Sequence, residues 1–170
     1  MPRIHVCPLA QIDETVRATG ARDMVTIINV GTPVTRPRAI AADRHLYIGV
    51  SDITTPLQGH ILPGREHVRT LLDFVHAWDR RAPLLIHCFA GVSRSTAAAF
   101  VAACALAPHR DEAGIARAIR EASPTATPNA RLVEAADEVL GREGRMNAAV
   151  ESIGRGADCW EGAPFALEIA

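Results

Sequence analysis

Apolar residues in this chain fall into short continuous runs that alternate with helix-spaced stripes. Arg3-Ile-His-Val-Cys7 is a short β-biased run, and from Ile12 to Thr19 apolar positions recur at helical spacing before Gly20. Asp23-Met-Val-Thr-Ile-Ile-Asn-Val30 predicts a buried strand, stopped by Gly31-Thr-Pro33. His45 to Val50 predicts another strand, followed by a loop from Ser51 to Pro63. Between Arg65 and Asp79, Val68, Leu71, Leu72, Val75 and Trp78 stand three and four apart, the spacing of an amphipathic helix. Leu84 to His87 is the next strand. The stretch from Ser95 to Leu106 is apolar on nearly every side, so its helix is expected at the domain centre, ended by Pro108. Two further helices are expected, over about Asp111 to Glu121 and about Asn129 to Gly141.

Strands separated by helices predict an α/β domain with a central, mainly parallel sheet flanked by helices. The chain has 170 residues, enough for one substantial core. That core is expected over residues 1–153, with 154–170 as a tail, Gly-rich at first and then weakly apolar through Phe165 and Leu167. The tail either docks as a late strand or stays mobile. A hydrophobic fraction of 48% and a charged fraction of 22% suit a soluble globular protein. The net charge of −1 argues against nucleic acid and membrane as partners. All 18 basic residues are arginine, which rules out a Schiff-base lysine or a Walker-type phosphate lysine in this chain. Cys7, Cys88, Cys104 and Cys159 are scattered, without zinc spacing, and fit a reducing compartment better than a disulfide framework. The N-terminus lacks the layout of a signal peptide, and the apolar run from Ala97 to Ala107 is too short to cross a bilayer. A cytoplasmic protein is the expectation.

The chemistry concentrates in Pro83-Leu-Leu-Ile-His-Cys-Phe-Ala-Gly-Val-Ser-Arg-Ser95. A strand that ends in cysteine and runs through a short loop into a helix is a ready anion site. Backbone N–H groups of Phe89, Ala90, Gly91, Val92, Ser93 and Arg94 can point inward as a nest, and the helix adds its positive dipole end. Gly91 permits the tight curl, and the planar fork of Arg94 can hold two phosphate oxygens at once. The same positive surroundings favour the thiolate of Cys88. His87 would orient the backbone and hold the thiolate from beneath, and the Ser95 hydroxyl can donate to the sulfur when sulfur must leave phosphorus.

His87-Cys-Phe-Ala-Gly-Val-Ser-Arg-Ser95 resembles the signature loop of the cysteine-dependent protein tyrosine phosphatase superfamily, its compact dual-specificity-like branch in particular. The resemblance in layout runs from about Arg3 to Leu140. It implies Cys88 as nucleophile, Arg94 as phosphate binder and transition-state clamp, the amides of Phe89 to Arg94 as the cradle, and Ser95 as an aid to breakdown of a phosphocysteine. It implies a phosphorylated protein or peptide as substrate, phosphate as product, and neither cofactor nor metal.

Expelling an alkoxide or phenoxide also needs a proton donor. Asp52, in the loop directly after the His45–Val50 strand, is the best candidate, and the resembled family carries its acid in an equivalent loop. The segment that follows, through Pro63, is a few residues longer here. Asp73 and Asp79 fall on the next helix and read as surface charges. Asn129, in Ser123-Pro-Thr-Ala-Thr-Pro-Asn129, reads either as a helix cap or as the Pro-Asn element that buttresses the loop in related phosphatases. Arg131 can reach an anion nearby but reads as solvated, and Cys104 as inert packing. His60 and His67 flank the candidate site, and Cys7 or another thiol could pair with an oxidised Cys88. Phosphotyrosine is the expected target, with phosphoserine and phosphothreonine as further ones. A phosphoinositide or inositol phosphate is the alternative, disfavoured by apolar Phe89, Ala90 and Val92. Sulfur transfer and non-catalytic phosphate binding are the remaining readings.

Overall fold

Runs of β-branched and long aliphatic residues buried on both faces make the parallel strands, as such strands require. The computed structural model describes residues 1–170. Its elements in chain order are β1 (Arg3–Cys7), α1 (Ile12–Thr19), β2 (Asp23–Ile28), β3 (His45–Gly49), α2 (Arg65–Ala77), β4 (Leu84–His87), α3 (Arg94–Leu106), α4 (Glu112–Ala122), α5 (Ala130–Leu140), α6 (Arg145–Ile153) and β5 (Phe165–Glu168). The sheet order is β3-β2-β4-β1-β5, parallel except for β5, which pairs antiparallel with β1. The sheet is therefore mainly parallel and flanked by helices, as the alternation of runs and stripes predicts.

The two faces differ in thickness. Ile4, Val6, Val25, Ile27, Leu84 and Ile86 face the main core, built with α2 to α6. Met24, Leu85 and Cys7 face a small cluster closed by Ile12 and Val16 of α1 and by Ile40. α3 is buried on nearly all sides, from Arg94 through Cys104, so it acts as the central post against which the other helices pack. Its alanines let neighbouring helices approach closely. No helix is long and apolar enough to cross a membrane.

Four boundaries and one element depart from the sequence reading, the first being β3, which stops at Gly49 rather than Val50. β2 stops at Ile28, before Asn29, and α2 stops at Ala77, where Trp78 turns away to donate its indole N–H to Ala82 O at 2.9 Å. α3 begins at Arg94, one residue earlier than Ser95. The sequence pattern did not predict α6.

Candidate active site

Parallel strands all end at the same edge of a sheet, and β4 sits between β2 and β1, where the chain's direction of travel across the sheet reverses. Such a point leaves a crevice beyond the carboxyl ends of the strands. The segments after β1 (Pro8, Leu9), β2 (Asn29), β3 (Val50 to Asp52) and β4 (Cys88 to Ser93) all meet there. They surround a pocket of about 490 Å³ lined by Asn29, Thr32, Asp52, Cys88, Ser93 and Arg94, by apolar Ile28, Phe89, Ala90 and Val92, and by Cys159 from the tail.

The loop between Cys88 and Arg94 is held in its curl from outside. The carbonyl of Cys88 accepts from His87 Nδ1 at 3.0 Å, that of Phe89 from Leu9 N at 3.0 Å, and that of Ala90 from Gly162 N at 2.8 Å. Val92 O accepts from Thr127 N at 2.9 Å and from the Thr96 hydroxyl at 2.6 Å, and Ser93 O from Asn129 N at 3.1 Å. Every peptide here is trans, so C=O and N–H point in opposite directions. Five carbonyls tied outward aim the amides of Phe89, Ala90, Gly91, Ser93 and Arg94 inward. Gly91 N–H lies 3.3 Å from Cys88 Sγ. Gly91 itself adopts a φ of +71°, in the left-handed region where glycine carries no steric penalty.

At the centre, Cys88 Sγ lies 3.0 Å from Ser95 Oγ. Arg94, only 6% exposed, donates from Nη1 to Asn29 Oδ1 at 2.6 Å and to Val50 O at 3.0 Å. The Nε–Nη2 edge of its fork has no protein partner, and Nε is the only buried side-chain nitrogen or oxygen in the molecule left without one. An unsatisfied buried donor costs about 1–3 kcal/mol, more when charged, so this edge is shaped for something other than the fold.

Asp52 also lines the pocket, hydrogen-bonded to the loop. Its Oδ1 accepts from the Ser93 hydroxyl at 2.7 Å and from Asn129 Nδ2 at 2.9 Å, while Oδ2 takes no hydrogen bond. Asn129 joins the two readings left open by the sequence. Its Oδ1 accepts from Leu132 N at 3.0 Å and caps α5, and its amide also donates to Ile53 O at 3.2 Å. His87 is fully buried, and burial pushes its pKa down to about 4, so the ring is neutral near pH 7. Its Nδ1 meets the Cys88 carbonyl rather than the sulfur, so what it holds is backbone and not the thiol.

Other residues that the sequence singled out lie elsewhere. Arg131 donates to Pro63 O at 3.1 Å, His60 meets Ser51 Oγ at 3.2 Å, and His67 accepts from Gly64 N at 3.0 Å to start α2. None of the three lines the pocket. Burial pushes the Cys7 and Cys104 thiols up to about 12, which makes both poor nucleophiles. Sequence reasoning missed Asn29, Leu9, Gly162 and Cys159. Asn29 carried a faint signal, a polar residue at the end of an apolar strand; the other three act through tertiary contact alone.

No family model matches the chain, and no curated protein matches it in sequence. Solved structures do match. DUSP15 superposes with a TM-score of 0.63 at 19% identity, over 88% of this chain and 90% of that one. Human DUSP28 gives 0.63 at 17% identity, over 82% and 89%. The human tyrosine phosphatase-like serine/threonine/tyrosine-interacting protein gives 0.64 at 14% identity, over 82% and 92%. The protein thus has the α/β fold of the dual-specificity phosphatases, with the Cys88–Arg94 loop at the carboxyl end of its central strand.

Proposed function

We propose that this protein is a phosphatase that hydrolyses phosphotyrosine, and also phosphoserine or phosphothreonine, in proteins or peptides through a phosphocysteine intermediate. The observation that carries the reading is the unpartnered Nε–Nη2 edge of Arg94 beside a cysteine sulfur and a ring of inward amides. A guanidinium edge of two parallel N–H groups matches two oxygens of a phosphoryl group. Fixed donors aimed at charge that grows in the transition state stabilise it without reorganisation.

In the first step the Cys88 thiolate attacks phosphorus. The S–P bond forms, the P–O ester bond breaks, and the leaving oxygen takes the proton carried on Asp52. Oδ2 suits that role because both Ser93 and Asn129 donate to Oδ1. In the second step water attacks phosphorus, Asp52 takes its proton, the P–S bond breaks and phosphate leaves. The Ser95 hydroxyl, 3.0 Å from Sγ, donates to the sulfur as it departs. Arg94 is the only cation lining the pocket, which supports a monoester rather than a polyphosphorylated inositol.

The test is hydrolysis of p-nitrophenyl phosphate and of phosphotyrosine peptides. Cys88→Ser should abolish turnover while the protein still binds phosphate. Asp52→Ala should lower kcat by about 10²-fold or more with poor leaving groups, the usual weight of general acid catalysis. Undiminished hydrolysis by Cys88→Ser would sink the proposal.

A further inference from the structure

Thr26 is a polar residue inside an apolar strand, fully buried among Met24, Val25, Ile27 and Ile28. Valine would fill the same space, so the hydroxyl needs a separate reason. It lies between two imidazoles, 2.7 Å from His87 Nε2 and 2.7 Å from His45 Nε2. Register explains the meeting: Thr26 stands opposite His87 across the β2–β4 pair, and His45 reaches it from β3.

Counting protons sets the direction of the chain. A carbonyl oxygen only accepts, so His87 Nδ1, 3.0 Å from Cys88 O, carries a hydrogen. The ring is neutral, so Nε2 is a lone pair that accepts the Thr26 hydroxyl proton. That hydroxyl has no second proton to give, so its oxygen accepts from His45, whose Nε2 carries the hydrogen. One consistent assignment remains, donating from His45 to Thr26 to His87 to the Cys88 carbonyl.

We propose that Thr26 and His45 are positioning residues for the phosphate loop: they lock His87 in the Nδ1–H tautomer, and His87 in turn fixes the Cys88–Phe89 peptide with its N–H aimed into the cradle. In the other tautomer, an Nδ1 lone pair would face the carbonyl lone pairs and repel them, and the peptide would be free to rotate. Charged and titratable neighbours do not supply another anchor. Arg36 acts on His45, His45 acts on His87, and the Cys7 and Cys88 thiols stand at the adjoining strand ends. No carboxylate is among the groups acting on either ring.

The activity readout rests on the phosphatase reading, and the spectroscopic readout does not. Long-range ¹H–¹⁵N spectra of the wild-type imidazoles should show His87 as the Nδ1–H tautomer and His45 with a hydrogen on Nε2. Thr26→Val should mix the His87 tautomers, lower kcat/KM about tenfold, the weight of one buried hydrogen bond, and move the acidic limb of the pH profile upward. Thr26→Ser should restore all three. His45→Gln keeps an N–H donor and should behave like Thr26→Ser, whereas His45→Leu should follow Thr26→Val. A wild-type spectrum with His87 protonated on Nε2 would overturn the proposal, whatever the variants do. So would a folded Thr26→Val protein with the wild-type pH profile. A wild-type protein inert toward p-nitrophenyl phosphate would instead remove the phosphatase reading and leave the tautomer assignment to the spectra.

Discussion

A single β-carbon is enough to disturb the cradle. Gly91 holds a φ of +71°, and a Cβ there would meet Pro8 N at 2.8 Å and the Cys7 carbonyl carbon at 3.0 Å. Both obstacles are backbone of the β1–α1 connection, so neither can swing aside as a side chain would. Gly91→Ala is expected to lose about 1–3 kcal/mol of stability from the left-handed backbone alone. The larger effect should be on function, because the peptide that presents Gly91 N–H to Cys88 Sγ must shift. A displacement near 1 Å in a preorganised site can cost about 10²-fold in rate. Thermal melts beside p-nitrophenyl phosphate kinetics check this: a variant that melts a few degrees lower but turns over at the wild-type rate would show that the loop tolerates the shift. The same residue shows what a sequence can carry. Glycine between cysteine and arginine reads as a tight curl, but that Pro8 presses on it is a fact of β1 lying beside β4.

Elements were legible where their own residues stabilise them. β2 reads as a strand because its run is buried on both faces, and α2 because Val68, Leu71, Leu72 and Val75 form one stripe. α6 was not legible, and the reason lies at its start. Its N-terminal neighbour is Gly144 at a φ of +84°, with no local side-chain cap. The Asp137 carboxylate of α5 accepts instead from Gly144 N at 2.8 Å and from Met146 N at 2.9 Å, a cap lent by another helix. The tail is a second such case. β5 becomes an edge strand by pairing with β1, and the tail buries Phe165 and Leu167 within the strand and Ile169 just past it. At about 1.5–3 kcal/mol for each buried side chain, removing residues 154–170 should cost a large part of a stability that is typically about 5–15 kcal/mol. It would also remove the Gly162 N–H that holds Ala90 O. Leu167→Ala separates the two effects. It should destabilise by about 2–5 kcal/mol while kcat below the melting transition stays near wild type, because the Gly162 clamp remains. A kcat that falls as far in Leu167→Ala as in the truncated chain would mean that the clamp contributes nothing of its own.

For the molecule as a whole, the site and the fold share one buried polar seam, and pH exposes the coupling. His87 titrates near 6.5 when unfolded, and burial lowers it to about 4 in the folded protein. Between those values the unfolded chain binds a proton that the folded one refuses, so stability rises with pH through this window and falls as acid is added. The span of about 2.5 units corresponds to roughly 3 kcal/mol, fully present above pH 6.5 and lost on approaching pH 4. His5 and His45, both lowered mainly by burial, add in the same direction. Asp23, whose carboxyl is raised mainly by burial, opposes them only near the acid end of the window. Denaturant titrations at pH 7 and pH 4.5 should therefore differ by a few kcal/mol, and His87→Gln should flatten most of the slope. Equal unfolding free energies at the two pH values would mean that His87 is charged in the folded protein. The links between His45, Thr26 and His87 would then have to run the other way, from His87 through Thr26 to His45, while His87 Nδ1 still donates to the Cys88 carbonyl. Because the ring that resists protonation is the one that ties β4 to the loop, loss of activity in acid should follow the unfolding curve closely rather than precede it.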